Sequence, residues 1–312
     1  MSFPDYPDSS FYAVINDRQM HYLEGGKEHS ETVVMLHGNP SWSFYYRRLF
    51  SALIDNYHCI VPDHIGMGLS DKPAKGEYEF TLKQRVDDLD ALLSSLGVDN
   101  NLTLIVHDWG GMIGMAYATR YPEKIKRLVI SNTAAFHIPE GKQVPWQLKL
   151  SRTPIMGSLL IQGLNLFCRG AVIQCVTRKA MSKEVKHAYL APYDSWAHRF
   201  SVLRFVEDIP LDKSHPAYEM VDQVDQNLQQ FSKLPMLVCW GLNDFVFDVH
   251  YLDEWKKRFP NAEFHEFDAG HYLLEDAGDE VILVIRNFLD PHPDPLPEGE
   301  GVNNGVPSPH RG

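Results

Sequence analysis

Residues 102–115 run Leu-Thr-Leu-Ile-Val-His-Asp-Trp-Gly-Gly-Met-Ile-Gly-Met. The apolar, β-type run stops abruptly at His107-Asp108-Trp109, and Gly110-Gly111 opens a helix-like stretch. Strand, sharp turn, helix is the local geometry that presents one side chain above the end of a sheet, here Asp108. A serine at such a tip attacks carbonyl carbon. A carboxylate can instead displace a leaving group from saturated carbon and remain as an alkyl ester. The expected electrophile is therefore a carbon bonded to halogen or to strained oxygen.

The rest of the chain repeats the strand–helix rhythm, which argues for an α/β fold with a mostly parallel sheet and helices on both faces. Eight strands are expected, at Tyr12–Ile15, Met20–Leu23, Val33–Leu36, Cys59–Val61, Leu102–Val106, Leu128–Ile130, Met236–Cys239 and Glu263–Phe267. Helical patterns lie at Phe44–Ile54, Leu82–Leu96, Met112–Arg120 and Val281–Phe288, with Thr81 a fitting N-cap and Gly97 a fitting stop for the second. The rhythm breaks over 134–231, which is helical in pattern and aromatic-rich. Such an insertion reads as an all-helical cap over the carboxyl edge of the sheet. The expected division is a core of 1–133 and 232–290, a cap of 134–231, and a Pro/Gly-rich tail of 291–312 too poor in apolar residues to fold.

With 44% hydrophobic content over 312 residues the chain can bury a large core. Lys and Arg total 29 against 41 Asp and Glu, a net charge of −12, so neither nucleic acid nor an anionic membrane is an expected partner. The acidic, Pro-broken N-terminus is unlike a signal peptide, and the four cysteines show no Cys-x-x-Cys spacing. A reducing cytoplasm is the expected location, with Cys59 and Cys239 as buried free thiols. Residues 154–176 are apolar and long enough to span a bilayer, but Gln162, Asn165, Arg169 and Gln174 interrupt them. Two short helices over a pocket are expected there, not a transmembrane segment. No zinc-type spacing or dinucleotide-type glycine loop is present in the sequence, so neither metal nor cofactor is expected.

Two further motifs follow expected strands. Trp240-Gly-Leu-Asn-Asp244 places an acid, and Asp268-Ala-Gly-His271 a histidine, each at a strand's carboxyl end. Nucleophile, acid, histidine is the chain order of the α/β-hydrolase fold, with Asp244 orienting His271. Upstream, Val33-Val-Met-Leu-His37-Gly38-Asn39-Pro40 ends an early strand. That loop and Trp109 are where the fold supplies backbone N–H donors, and the Asn39 amide and Trp109 indole add side-chain donors suited to a leaving anion. His37 and His107 are expected to be structural hydrogen-bonders.

His37-Gly-Asn-Pro, His107-Asp-Trp-Gly-Gly and Asp268-Ala-Gly-His271 resemble the haloalkane dehalogenase family of α/β-hydrolases, over about Phe11 to Pro291. The resemblance implies that Asp108 attacks carbon while Asn39 and Trp109 hold the departing anion. The best-known Asn/Trp branch carries its acid after the sixth strand, where this chain has Ser131-Asn132-Thr133. With its acid at Asp244 instead, the chain resembles the third branch, which acts poorly on haloalkanes. Pro62-Asp-His-Ile-Gly-Met-Gly-Leu-Ser-Asp-Lys-Pro73, Asn132-Thr-Ala-Ala-Phe136, Tyr189-Leu-Ala-Pro-Tyr-Asp-Ser-Trp196 and Leu203-Arg-Phe-Val-Glu-Asp-Ile-Pro210 are more specific. They resemble the OleB-type β-lactone decarboxylases of bacterial long-chain olefin biosynthesis. That resemblance implies opening of a cis-3,4-dialkyl-β-lactone by Asp108, loss of carbon dioxide, and release of a cis-alkene. It also implies a hydrophobic small-molecule substrate and assembly with a β-lactone synthetase and a reductase. Three alternatives stay open: a haloalkane dehalogenase, an epoxide hydrolase using Tyr189, Tyr193 or Tyr218, and a silent binding module.

Overall fold

The computed structural model describes residues 3–290. Eight strands form one sheet: β1 (Ser10–Ile15), β2 (Arg18–Gly25), β3 (Thr32–Leu36), β4 (His58–Pro62), β5 (Leu102–His107), β6 (Ile125–Ser131), β7 (Met236–Gly241) and β8 (Glu263–Phe267). Their order is β1-β2-β4-β3-β5-β6-β7-β8, with β2 antiparallel to both its neighbours and the other pairings parallel. β3, β4, β5 and β7 are buried at every position. Both their faces carry helices, so they read as unbroken apolar runs, not as alternating ones. All eight expected strands are present, with ends shifted by a few residues.

The helices are α1 (Arg47–Leu53), α2 (Leu82–Ser95), α3 (Trp109–Arg120), α4 (Trp146–Ser151), α5 (Pro154–Gly157), α6 (Leu166–Gln174), α7 (Lys183–Leu190), α8 (Phe200–Glu207), α9 (Tyr218–Asn227), α10 (Val249–Arg258), α11 (Leu273–Asp276) and α12 (Gly278–Leu289). The Thr81 side chain caps α2 by accepting from the Gln84 N–H at 3.2 Å, and Gly97 takes φ +69° just past its end. The helix expected from Phe44 splits into a 3-10 turn, Ser43–Tyr46, and α1. α3 starts at Trp109, three residues before the expected Met112, because the turn at Asp108 (φ 52°, ψ −128°) feeds the chain straight into it. Val106 crowds this turn less than its size suggests. A Cβ on Gly114 of α3 would lie 2.8 Å from Val106 Cγ1, so the glycine makes the room.

Between β6 and β7 the described chain holds α4 to α9 and no strand. The 154–176 segment is two short helical stretches, 154–163 and 166–174, bent by 64°. Among the described residues no single helix is long and apolar enough to cross a membrane. All four cysteines are free and buried, and burial pushes the Cys59 and Cys239 thiols well up from their ordinary value. The expectation for 291–312 falls outside the described residues.

Candidate active site

Because β3, β5, β6, β7 and β8 run parallel, their carboxyl ends share one edge of the sheet. Just beyond those ends come Asn39, Asp108, Asn132, Asp244 and His271, all buried. Asp108 occupies the strained turn, and no non-glycine residue adopts its φ without cost. Gly38 and Gly111 permit the close approach: a Cβ on the first would overlap the Asp108 carboxylate, and one on the second the Thr133 side chain. The Thr133 hydroxyl donates to the Asp108 carbonyl oxygen and pins the turn from β6.

His271 Nδ1 sits 2.7 Å from Asp244 Oδ2, and its Nε2 faces Asp108 Oδ2 at 3.6 Å. The other Asp244 oxygen accepts from the Val246 and Phe247 N–H groups at 2.7 and 3.1 Å. This carboxylate therefore has fixed partners on both oxygens, and the ring has one orientation. Phe247 stacks on His271 with ring centroids 5.8 Å apart, and His107 holds the His271 carbonyl through Nε2 at 2.8 Å. His37 likewise bonds the Gly38 carbonyl at 2.8 Å and accepts from the His64 N–H at 3.2 Å. Both are structural hydrogen-bonders, as expected.

The backbone donors differ from their role in a serine enzyme. The Asn39 N–H donates to Asp108 Oδ1 at 2.6 Å, and the Trp109 N–H also favours the ionised Asp108. In a serine enzyme these donors await an oxyanion. Here Oδ1 of the carboxylate already holds the Asn39 N–H, and Oδ2 faces His271. Burial pushes the Asp108 carboxyl above the usual range. The His271 charge and the two N–H groups oppose this without cancelling it, and Asp244 adds to it. Burial alone would hold the His271 imidazole down. The charge and hydrogen bond of Asp244, with the charge of Asp108, outweigh that and leave it above its ordinary value.

The side-chain donors are arranged less simply than the sequence suggests. Asn39 Nδ2 donates to the Val202 carbonyl of α8 at 3.1 Å, so one amide hydrogen is engaged by that helix. The Trp109 indole N–H finds no acceptor among the described residues, and its ring packs edge-on against Phe205 of α8 at 5.5 Å. Asn39, Trp109, Asp108 and His271 line one cavity of about 470 Å³, whose walls include apolar side chains such as Ile161, Leu166, Ala171 and Val221. That volume is within the range of ligand pockets.

Two features were missed in the sequence. Asn132 stands where the alternative acid would lie. Its Nδ2 donates to Asp244 Oδ2 and the Gly241 carbonyl, both at 3.0 Å, while its Oδ1 accepts the Gly241 N–H at 2.8 Å. Arg85 of α2 is fully buried, bonded to Asp208 Oδ2 at 2.8 Å, with its guanidinium carbon 3.7 Å from the centroid of the Phe205 ring. Burial lowers its affinity for the proton despite Asp208, and burial raises the Asp208 carboxyl despite Arg85. Desolvation thus exceeds pairing for both partners.

A model of the alpha/beta hydrolase fold matches residues 31–156 and 176–278. The chain belongs to the α/β-hydrolase family. Over 275 residues the chain is 56% identical to the cis-3-alkyl-4-alkyloxetan-2-one decarboxylase of Shewanella oneidensis, covering 88% of this chain and 86% of that protein. A protein of the same name in Xanthomonas campestris is 47% identical over 88% of this chain and 93% of its own length. A haloalkane dehalogenase of Mycolicibacterium paratuberculosis is 28% identical over 91% and 93%. Among solved structures, the dehalogenase DatA from Agrobacterium tumefaciens superposes with a TM-score of 0.81 at 22% identity, covering 92% of this chain and 99% of that one, a likeness of fold.

Proposed function

We propose that this enzyme converts cis-3,4-dialkyl-β-lactones (oxetan-2-ones) to cis-alkenes and carbon dioxide, with Asp108 as nucleophile, His271 and Asp244 as its charge partners, and Asn39 and Trp109 as anion donors. The observation that carries this reading is the 56% identity to a decarboxylase of that substrate class, in a chain whose elbow bears a carboxylate. We read 134–231 as the cap that selects the alkyl chains.

The bonds balance without water. Asp108 Oδ2 adds to ring carbon 4 from the side opposite the ring oxygen, and the C4–O bond breaks to leave a carboxylate on carbon 3. Trp109 and the free hydrogen of the Asn39 amide are suited to receive that anion. The carboxylate now lies anti to the new ester. Its C3–C bond breaks, the pair forms C3=C4, and Asp108 departs as carboxylate while carbon dioxide leaves. Inversion followed by anti elimination keeps both alkyl groups on one side, which yields the cis-alkene. No proton moves. His271 then acts as a charge beside Asp108, and its raised proton affinity suits that task.

A haloalkane dehalogenase would use the same side chains with a water at His271 Nε2, and the 28% relatives support it only distantly. The epoxide hydrolase alternative is weaker. The hydroxyl of Tyr189 donates to Glu275 at 2.6 Å and that of Tyr193 to the Ser41 carbonyl at 3.3 Å, while Tyr218 stacks on His137. None of the three lines the cavity. Assembly with a β-lactone synthetase and a reductase, and a cytoplasmic site of action, belong to this same reading. Co-sedimentation with those two enzymes tests the assembly. The activity is tested by incubating purified enzyme with a synthetic cis-dialkyl-β-lactone and extracting for gas chromatography. A cis-alkene from wild type and none from Asp108→Asn is expected. Bromide release from a bromoalkane without any alkene would assign the dehalogenase, and unchanged turnover in Asp108→Asn would remove Asp108 from the chemistry.

A further inference from the structure

The net charge of −12 conceals an uneven distribution. Residues 141–186 hold eight Lys and Arg against one Glu, a net +7, so the rest of the chain carries −19. Lys142 and Arg178 are paired with Asp248 and Glu280. Lys149, Arg169, Lys179 and Lys183 are exposed and form no ion pair among the described residues. A basic face on an acidic protein is a local field, which the average conceals.

The same segment exposes large apolar side chains. Ile155 is 85% exposed, with Met156 and Leu159 on the same helical stripe. On α6, Leu166, Arg169 and Ile173 repeat at helical spacing along the solvent side, while Cys168, Ala171 and Val172 face inward. Trp196, also exposed, lies against this surface, since a Cβ on Gly163 would touch both its ring and Leu159 at 3.4 Å. Singly exposed apolar residues are ordinary, but several on adjoining helical stretches of a basic segment are not. The two helical stretches are about 15 Å and 14 Å long at 1.5 Å per residue, and each is too short to cross a hydrocarbon core of about 30 Å.

We propose that this edge of the cap docks on a bilayer surface bearing anionic headgroups, with Ile155, Leu159 and Ile173 entering the headgroup–acyl boundary and Lys149 and Arg169 meeting phosphates. Pairing this edge with the same edge of a second copy would set one basic segment against another, so charge complementarity selects an anionic lipid surface over that symmetric dimer. The cavity supplies a reason for the contact. Trp146, Leu150 and Leu166 are exposed and also line its wall, so the way in passes along the docking edge. A water-insoluble substrate or product then moves between bilayer and cavity without crossing water.

Vesicle binding needs no substrate, so it stands apart from the decarboxylase reading. Full-length protein is floated with vesicles of phosphatidylcholine alone and with vesicles containing phosphatidylglycerol. Binding to the anionic vesicles that weakens as salt rises is expected. Ile155→Glu with Leu159→Glu should lower the partition coefficient at least about tenfold, with far-UV circular dichroism and melting temperature unchanged. Lys149→Glu with Arg169→Glu should lower it on anionic vesicles alone. A wild type that stays at the bottom of both gradients, or binding untouched by either pair, would overturn the proposal. So would light scattering that finds a wild-type dimer, without vesicle affinity, that Ile155→Glu with Leu159→Glu dissociates.

Discussion

At Asp108 burial and the charge of His271 pull in opposite directions, and in the proposed reaction, where Asp108 is the nucleophile, the balance sets the acid limb. Its proton affinity is raised, so the ionised nucleophile is lost as pH falls through a value above the usual carboxylate range. A kcat/KM profile on the lactone should show that limb, and a limb at the ordinary aspartate value would contradict it. Asn132 acts one bond further out. Asn132→Ala leaves one oxygen of a buried carboxylate with one fewer donor, at a cost of about 1–3 kcal/mol in urea unfolding. Through a less fixed His271 it should lower kcat about tenfold to a hundredfold with KM little changed. The sequence displayed Asp108, Asp244 and His271, because each follows a strand within a local motif. It did not display the role of Asn132. An amide after β6 reads as a missing acid until folding brings β7 alongside and Gly241 and Asp244 within its reach. Nor could it show the Asn39 amide turned toward Val202, a contact 163 residues away.

The element that ties the helical segment between β6 and β7 to the sheet-edge site is α8. One turn of it offers the Val202 carbonyl to Asn39, and another presses Phe205 on Trp109. Beneath lies Arg85 of α2, ion-paired to Asp208 at the end of α8. Arg85→Met strands a buried carboxylate and should destabilise by about 3–5 kcal/mol in denaturant titration. Arg85→Met with Asp208→Leu should recover most of that loss, and equal instability of the two variants would deny the coupling. The strands were legible because parallel, doubly buried strands are unbroken β-branched and aliphatic runs. The segment between β6 and β7 was legible only as helical. Arg85 shares the face of Leu82, Leu89 and Leu92, where a cation looks like a lapse in an amphipathic pattern and its partner lies 123 residues on. The break after Ser158–Gly163, a π-helical turn, has no sequence signal beyond its glycines.

Over the whole molecule, a polar site at the sheet edge opens into an apolar cavity lined by helices of the segment between β6 and β7. Gly170 lines that cavity, and a Cβ there would meet no atom within 4 Å. Gly170→Phe should therefore fold normally while narrowing the space, and product analysis across lactones should show preference moving to shorter alkyl chains. The most direct test of water-free turnover by Asp108 is a reaction in oxygen-18 water, with the Asp108 peptide and the extract analysed by mass spectrometry. The decarboxylase reading predicts cis-alkene and carbon dioxide in equal amounts, with no heavy oxygen in Asp108. Labelled Asp108 together with a β-hydroxy acid would mean that water opens an enzyme ester, and would contradict it.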